Sequence, residues 1–321
     1  MTFEATEMPV VITPRPIKIS NSEIQTFKDC RRKWWLSYYR RLKPKQVKFT
    51  GPLALGSRVH EALDQYYSNG TPLLDAHAKL VEIDRELLAE DMRDPSDLDA
   101  EADLGRIMLE GYLQWVEDEG IDNELEMIST EEILNMPMFN GEVELTGKLD
   151  MRVRRKADGV RMFRDFKTVG GSFDQFYSTA HLNEQILTYM LLENHANGEG
   201  ERSEGGLFTL LKKVKRTANA KPPFYDQFEV RHNIFSLRSF WNRIHATVTD
   251  LMRVKTALDE GTHHSQIAYP TPSRDCTWKC PFFSVCPMFD DGSAVEDAIS
   301  MQFDIGDPYA YYGIEEKKGS E

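Results

Sequence analysis

The first residues able to do chemistry lie in FRDFKT, where Asp165 and Lys167 stand two apart, so that in a β-strand both side chains point to the same face. Just upstream, GKLD ends an alternating segment with a second carboxylate, Asp150. A structural Asp–Lys ion pair accounts for such a face. A hard divalent cation accounts for it as well, because Mg²⁺ prefers oxygen ligands, keeps several waters and is usually held by one or two carboxylates. Asp150 and Asp165 are then its ligands. Lys167 sits beside it, able to orient a water and to offset charge growing on a phosphate under attack.

Two helical segments supply partners. His60, in GSRVHEALDQYY, can ligate the same ion through a neutral imidazole, or it can be a packed residue of an amphipathic helix. Gln185 and Tyr189 are four apart in EQILTYM and share one helical face, from which they can reach substrate or Lys167. A separate group is CTWKCPFFSVC, with Cys276, Cys280 and Cys286; the fourth cysteine, Cys30, lies far upstream in FKDCRRKWW. In a reducing compartment, a few closely spaced cysteines are more often metal ligands or catalytic groups than disulfides.

Positioning these residues falls to a mixed set of elements. Ser20 or Ser22 can cap a helix that carries Ile24, Phe27, Trp34 and Tyr38 at helical spacing, and LALGSRVHEALDQYY reads as a second helix. Residues 73–119 have helical propensity, interrupted at Asp94 and Pro95. The period then changes: EMISTEEIL, EVELTGKLDMRVRR and VRMFRDFKTV read as three strands joined at Asn140-Gly141 and Asp158-Gly159. LNEQILTYMLLENHAN is helical and stops before Gly198, and GLFTLLKKVKR is a further strand. A short strand near 224–230 and a long helix over about 234–260 precede the cysteine segment. The order predicts a mixed α/β core.

Composition bounds the function. With 321 residues and 40% hydrophobic content, the chain can bury a sizeable core in one large domain or two modest ones. No apolar run approaches the roughly 20 residues of a membrane helix, and MTFEATEMPVVITPRP lacks the order of a signal peptide, so a cytoplasmic protein with no membrane partner is expected. A net charge of -13 argues against a surface that attracts phosphate everywhere. Acid concentrates in residues 82–132 and beyond Phe289, whereas base concentrates in 30–48, 152–156 and 211–222. The first basic run interleaves Arg31, Arg32 and Lys33 with Trp34, a mixture that suits neutralising phosphates and stacking bases, or else a core helix. Lys212 and Lys213 are further candidate DNA contacts. No G-x-x-x-x-G-K-[ST] loop is present, which excludes ATP hydrolysis by that route.

The ordered set GxxxH (Gly56 to His60), GKLD (Asp150), DFK (Asp165, Lys167) and QxxxY (Gln185, Tyr189) resembles the RecB-type branch of the PD-(D/E)XK nuclease superfamily. Members with an iron–sulfur cluster, such as the AddB helicase-nuclease subunit and the four-cysteine exonucleases of CRISPR adaptation, place one cysteine upstream of the nuclease motifs and three downstream. Cys30 and the trio Cys276, Cys280 and Cys286 follow that order. Two departures stand out: the downstream spacing is C-x3-C-x5-C rather than C-x2-C-x5-C, and Arg31 replaces a frequent proline. Both 4Fe-4S and Zn²⁺ accept four thiolates, and the prolines and aromatics around the cysteines suit a shielded cluster.

The resemblance implies a restriction-endonuclease-like fold and a DNA exonuclease that uses Mg²⁺ or Mn²⁺ held by His60, Asp150, Asp165 and the backbone carbonyl of Phe166. Lys167 would assist the attacking water, with Gln185 and Tyr189 positioning it or the DNA. The chain then divides into an extension (1–19), N-terminal helices (20–72), an acidic helical insert (73–124), a nuclease core (125–232), a long helix with the cysteine segment (233–290) and a flexible acidic tail (291–321). Single-stranded or duplex DNA ends are the expected partner, with a protein partner in recombination, repair or CRISPR adaptation. A catalytically silent DNA-binding scaffold and a zinc-stabilised interaction module are the alternatives.

Overall fold

The computed structural model describes residues 16–46, 49–198 and 202–312; the extension up to residue 15 and the tail beyond Tyr312 lie outside the described residues. The chain runs β1 (Ile17–Ser20), α1 (Asn21–Asp29), α2 (Arg31–Trp34), a π-helical turn (Trp35–Tyr39), β2 (Leu42–Pro44), α3 (Pro52–Asn69), α4 (Leu73–Glu90) and α5 (Ser96–Glu119). Then come β3 (Leu125–Met138), β4 (Val143–Arg155), β5 (Arg161–Val169), α6 (Phe173–Ala180), α7 (Glu184–Asn197), β6 (Ser203–Lys212), β7 (Tyr225–Arg231) and α8 (Ile234–Asp259). The last elements are α9 (His264–Ile267), α10 (Cys276–Lys279), α11 (Val295–Gln302) and β8 (Phe303–Ile305).

The predicted turns form where glycine and asparagine allow a left-handed backbone: Asn140 and Gly141 at φ 55° and 90° between β3 and β4, and Gly159 at φ 73° between β4 and β5. β4 is the centre of the main sheet. β3 pairs along one of its edges, while β1 (parallel) and β5 (antiparallel) share the other. β6 runs parallel to β5, and β7 antiparallel to β6. The mixed sheet agrees with the mixed α/β expectation. β1 is an addition, since four residues are too short to show a period.

Helices cover both faces. On one, Ile186, Leu187 and Leu192 of α7 and Phe240 and Ile244 of α8 pack on Leu145, Leu149, Phe163 and Phe208. On the other, Leu55 and Val59 of α3, Leu73 and Ala76 of α4 and Leu109 and Tyr112 of α5 pack on Met151, Val153, Phe166 and Leu211. Residues 73–119 are therefore one side of the core; most of their acids face outward, while Asp84 and Glu101 turn in to pair with the buried Arg58. Each fully buried large apolar side chain contributes about 1.5–3 kcal/mol.

The segment 291–312 corrects the expectation of a flexible tail. β8 pairs with β2, Arg40 makes a two-pronged contact with Glu296, and Phe282 stacks on Phe303 with ring centroids 5.1 Å apart. Among the described residues no helix is long and apolar enough to cross a membrane.

Candidate active site and cysteine cavity

The β4–β5 ladder ends at Met151 opposite Arg164, and the next residues toward the open end of the fork are Asp150 and Asp165. Strand alternation breaks here. Leu149 belongs to the α7 side, yet Arg152 also reaches α7, where Nε donates to Glu193 at 2.7 Å. On the neighbouring β3, Glu131 adopts φ 50° beside this irregularity. Such a break re-aims side chains and frees backbone groups. One freed group is used at once: the Phe166 N–H donates to Asp150 Oδ2 at 3.0 Å.

The candidate residues predicted for catalysis converge on that fork. Lys167 Nζ is 2.6 Å from Asp165 Oδ2 and donates to Gln185 Oε1 at 3.1 Å. Gln185 Nε2 in turn reaches Asp165 Oδ1 at 3.3 Å and Tyr189 Oη at 2.9 Å, and the Tyr189 hydroxyl donates to the Lys148 carbonyl at 2.9 Å. From α3, His60 Nδ1 lies 3.4 Å from Asp150 Oδ2. Two motif glycines serve close approach rather than turning. A Cβ on Gly147 would come within 2.5 Å of Leu192 Cδ1, and one on Gly56 within 3.2 Å of Thr168 Oγ1.

The electrostatics follow from burial against mutual attraction. Burial pushes the Asp165 carboxyl up to about 6, Lys167 opposing and the charge of Asp150 adding to the rise. Burial also acts against ionised Asp150, but the hydrogen bond and charge of His60, with Lys167 and the Phe166 N–H, hold it below the usual carboxylate range. Burial would lower His60 and Lys167, and the two carboxylates outweigh it, so both sit above their ordinary values. Lys167 therefore keeps its proton at neutral pH.

A small cavity of about 10 Å³ borders this group, lined by His60, Asp64, Glu131, Asp150 and Phe166 among others; that is room for about one water-sized particle. Asp64, Glu131 and Lys148 were not singled out from sequence. Asp64 stands one helical turn after His60, and Lys148 two residues before Asp150, so both spacings were legible; nothing in the sequence signals the left-handed Glu131. Among the described residues no group of three or more His, Cys, Asp or Glu side chains is arranged, as it stands, to hold a metal ion. The donor chemistry nonetheless suits a hard divalent cation. Asp165 Oδ2 is buried, is ion-paired to Lys167 and accepts no aligned hydrogen bond, leaving a lone pair available.

The four cysteines line one cavity of about 280 Å³ with Arg32, Lys33 and Phe282. Backbone N–H groups already point at two sulfurs: Lys33 N and Thr271 N at 3.5 and 3.4 Å from Cys30 Sγ, and Ser273 N at 3.3 Å from Cys276 Sγ. Burial raises the Cys280 and Cys286 thiols, although Arg32 pulls Cys286 back.

Two of the expected DNA contacts are corrected. Trp34 is 1% exposed, stacks edge-on with Phe27 and donates its indole N–H to Glu23 at 2.8 Å, so it cannot receive a base. Arg32, equally buried, grips Asp290 through both terminal nitrogens at 2.6 and 3.0 Å and donates to the Cys286 carbonyl. It ties the two ends of the chain together. Arg31 pairs with Asp250. Lys213 donates to the Pro52 carbonyl at 3.3 Å, and Lys212 lies over the Phe173 ring at 5.8 Å, both further along the chain than Leu210, the β6 residue paired with Lys167.

No curated protein matches the chain. Among solved structures, an Eubacterium rectale protein provisionally named an exonuclease is 12% identical, covers 75% of this chain and 82% of its own, and gives a TM-score of 0.48. SSO0001 is 13% identical, covers 86% and 88%, and gives 0.37. Neither likeness bears on the chemistry. The family does: residues 18–287 match the PD-(D/E)XK nuclease superfamily across both the carboxylate–lysine fork and the cysteine cavity, and the chain belongs to that superfamily.

Proposed function

We propose that this nuclease-superfamily chain is a divalent-metal-dependent DNA exonuclease of the RecB/AddB-like branch, working in a reducing cytoplasm and stapled by a 4Fe-4S cluster. The observation that carries the reading is the buried contact of Lys167 with Asp165, braced by Gln185 and Tyr189, beside the Asp150–His60 pair. A decayed, silent scaffold would have no reason to keep a buried ammonium aimed this way.

His60, Asp150, Asp165 and the Phe166 carbonyl would hold Mg²⁺ or Mn²⁺, which when bound supplies Lewis acidity at the scissile phosphate. Protonated Lys167 donates to the attacking water or to a phosphate oxygen and offsets the charge that builds there. Gln185 fixes the lysine through Oε1, and Tyr189 fixes Gln185 while bonding to β4. The four cysteines line one cavity of about 280 Å³, and the prolines and aromatics around them, Pro270, Pro272, Pro287, Phe282 and Phe283, suit a shielded cluster over a single Zn²⁺.

The test is cleavage of end-labelled single-stranded and duplex DNA by anaerobically purified protein and by Asp165→Ala, each with Mg²⁺, Mn²⁺ or EDTA. A progressive ladder that needs the divalent ion and vanishes in the variant is expected. DNA bound but left intact by both proteins would establish the scaffold instead.

A further inference from the structure

The C-terminal segment 306–312 runs from β8 to the rim of the active site. Gly306 N donates to the Arg41 carbonyl at 2.9 Å, and the Tyr309 hydroxyl donates to the buried Glu23 carboxylate. Tyr309 also packs near Tyr38 and Tyr312, at 6.2 and 5.8 Å between ring centroids. These anchors fix a ring that is itself open to solvent. Tyr311 is 65% exposed, and Lys148 Nζ sits over its face at 4.4 Å from the centroid.

Lys148 joins that ring to the reaction centre. It stands two residues before Asp150 on β4, it forms an ion pair with Glu131, and its carbonyl receives the Tyr189 hydroxyl. Glu131 in turn lines the small cavity shared by His60 and Asp150.

We infer that Tyr311 is a substrate-binding residue, the platform on which the nucleobase next to the scissile phosphate stacks, with Lys148 placed to contact the adjoining phosphate. This rests on the nuclease reading. An exposed aromatic on a segment tied down at Gly306 and Tyr309, with a cation at its face, gives a base a π-surface of any sequence, which suits an enzyme that removes nucleotides one after another from an end. Exposure also means that removing the ring leaves no cavity in the core.

The test uses the full chain carrying Asp165→Ala, so that bound DNA is not cut, and short single strands with 2-aminopurine at one end or the other. Quenching of one of the two end labels is expected on binding. Tyr311→Ala should abolish it and weaken binding about tenfold, and Tyr311→Trp should restore both. Quenching that persists in Tyr311→Ala overturns the inference. So does faster cleavage by Tyr311→Ala in the otherwise unmutated protein, which would make the segment an obstruction. If the unmutated protein leaves DNA uncut while the Tyr311-dependent quenching is intact, the nuclease reading fails and the stacking contact stands.

Discussion

Lys167 Nζ lies 2.6 Å from Asp165 Oδ2, an ion pair whose acid is only 2% exposed. The lysine is held charged by the two carboxylates, which suits an electrostatic part in the proposed reaction. Lys167→Met should lower kcat by about 10²–10³ while leaving DNA binding within severalfold, because a donor aimed at developing charge acts mainly in the transition state. Gln185→Ala, which loosens the lysine without removing it, should cost roughly tenfold. Single-turnover cleavage separates the two; equal losses would show that Gln185 is no mere brace.

Gly147 sits where α7 crosses β4. The methyl of Gly147→Ala would be driven against Leu192 and the Tyr189 ring, at 2.5 and 3.2 Å. Overpacking of this kind costs about 1–3 kcal/mol. Urea denaturation should show that loss, and cleavage should fall along with it as Tyr189 and Gln185 shift. A Gly147→Ala protein of full activity and full stability would mean that α7 can move aside freely.

Glu23 provides a pH signature away from the active site. Its carboxyl is buried, and burial pushes it up to about 7 despite hydrogen bonds from Tyr309 and Trp34. The folded state thus holds a proton that the unfolded chain releases near its ordinary value of 4.5. The stabilisation tied to that proton is fully present below 4.5 and is lost as pH rises through about 7, up to about 3 kcal/mol. Glu23→Gln keeps an acceptor for Trp34 and cannot titrate. Its thermal midpoint should therefore fall less between pH 5 and 8 than that of the unmutated chain; parallel curves would assign the pH dependence elsewhere.

The proposed cluster predicts metal content. Protein purified without oxygen should carry iron and acid-labile sulfide in equal amounts and absorb broadly in the visible. Cys286→Ala should lose both and melt several degrees lower, at about 2–4 °C per kcal/mol for a chain of this size. Zinc with no visible absorbance would select the tetrahedral site instead.

Much of the fork was legible because its signals are local. The two-residue spacing of Asp165 and Lys167, the four-residue spacing of Gln185 and Tyr189, and the glycine turns each act within a few residues. What escaped depends on partners distant in sequence. The face carrying Ile24, Phe27 and Trp34 became core because Phe282, Val285 and Phe303 close over the same cluster, and no local pattern tells an aromatic that stacks on bases from one that packs. Arg32 likewise meets Asp290 at a separation of 258 residues. The acids of 291–312 suggested solvent, while the few apolar residues among them, Ile299 and Phe303, were enough to dock the segment.

That separation also sets a clock. A ribosome adding about 5–20 residues per second delivers Asp290 roughly 10–60 s after Arg32. Throughout that interval the N-terminal helices lack their clamp, so the Cys30 and Cys286 sides of the cysteine cavity can close on one another only after nearly all of the chain has emerged.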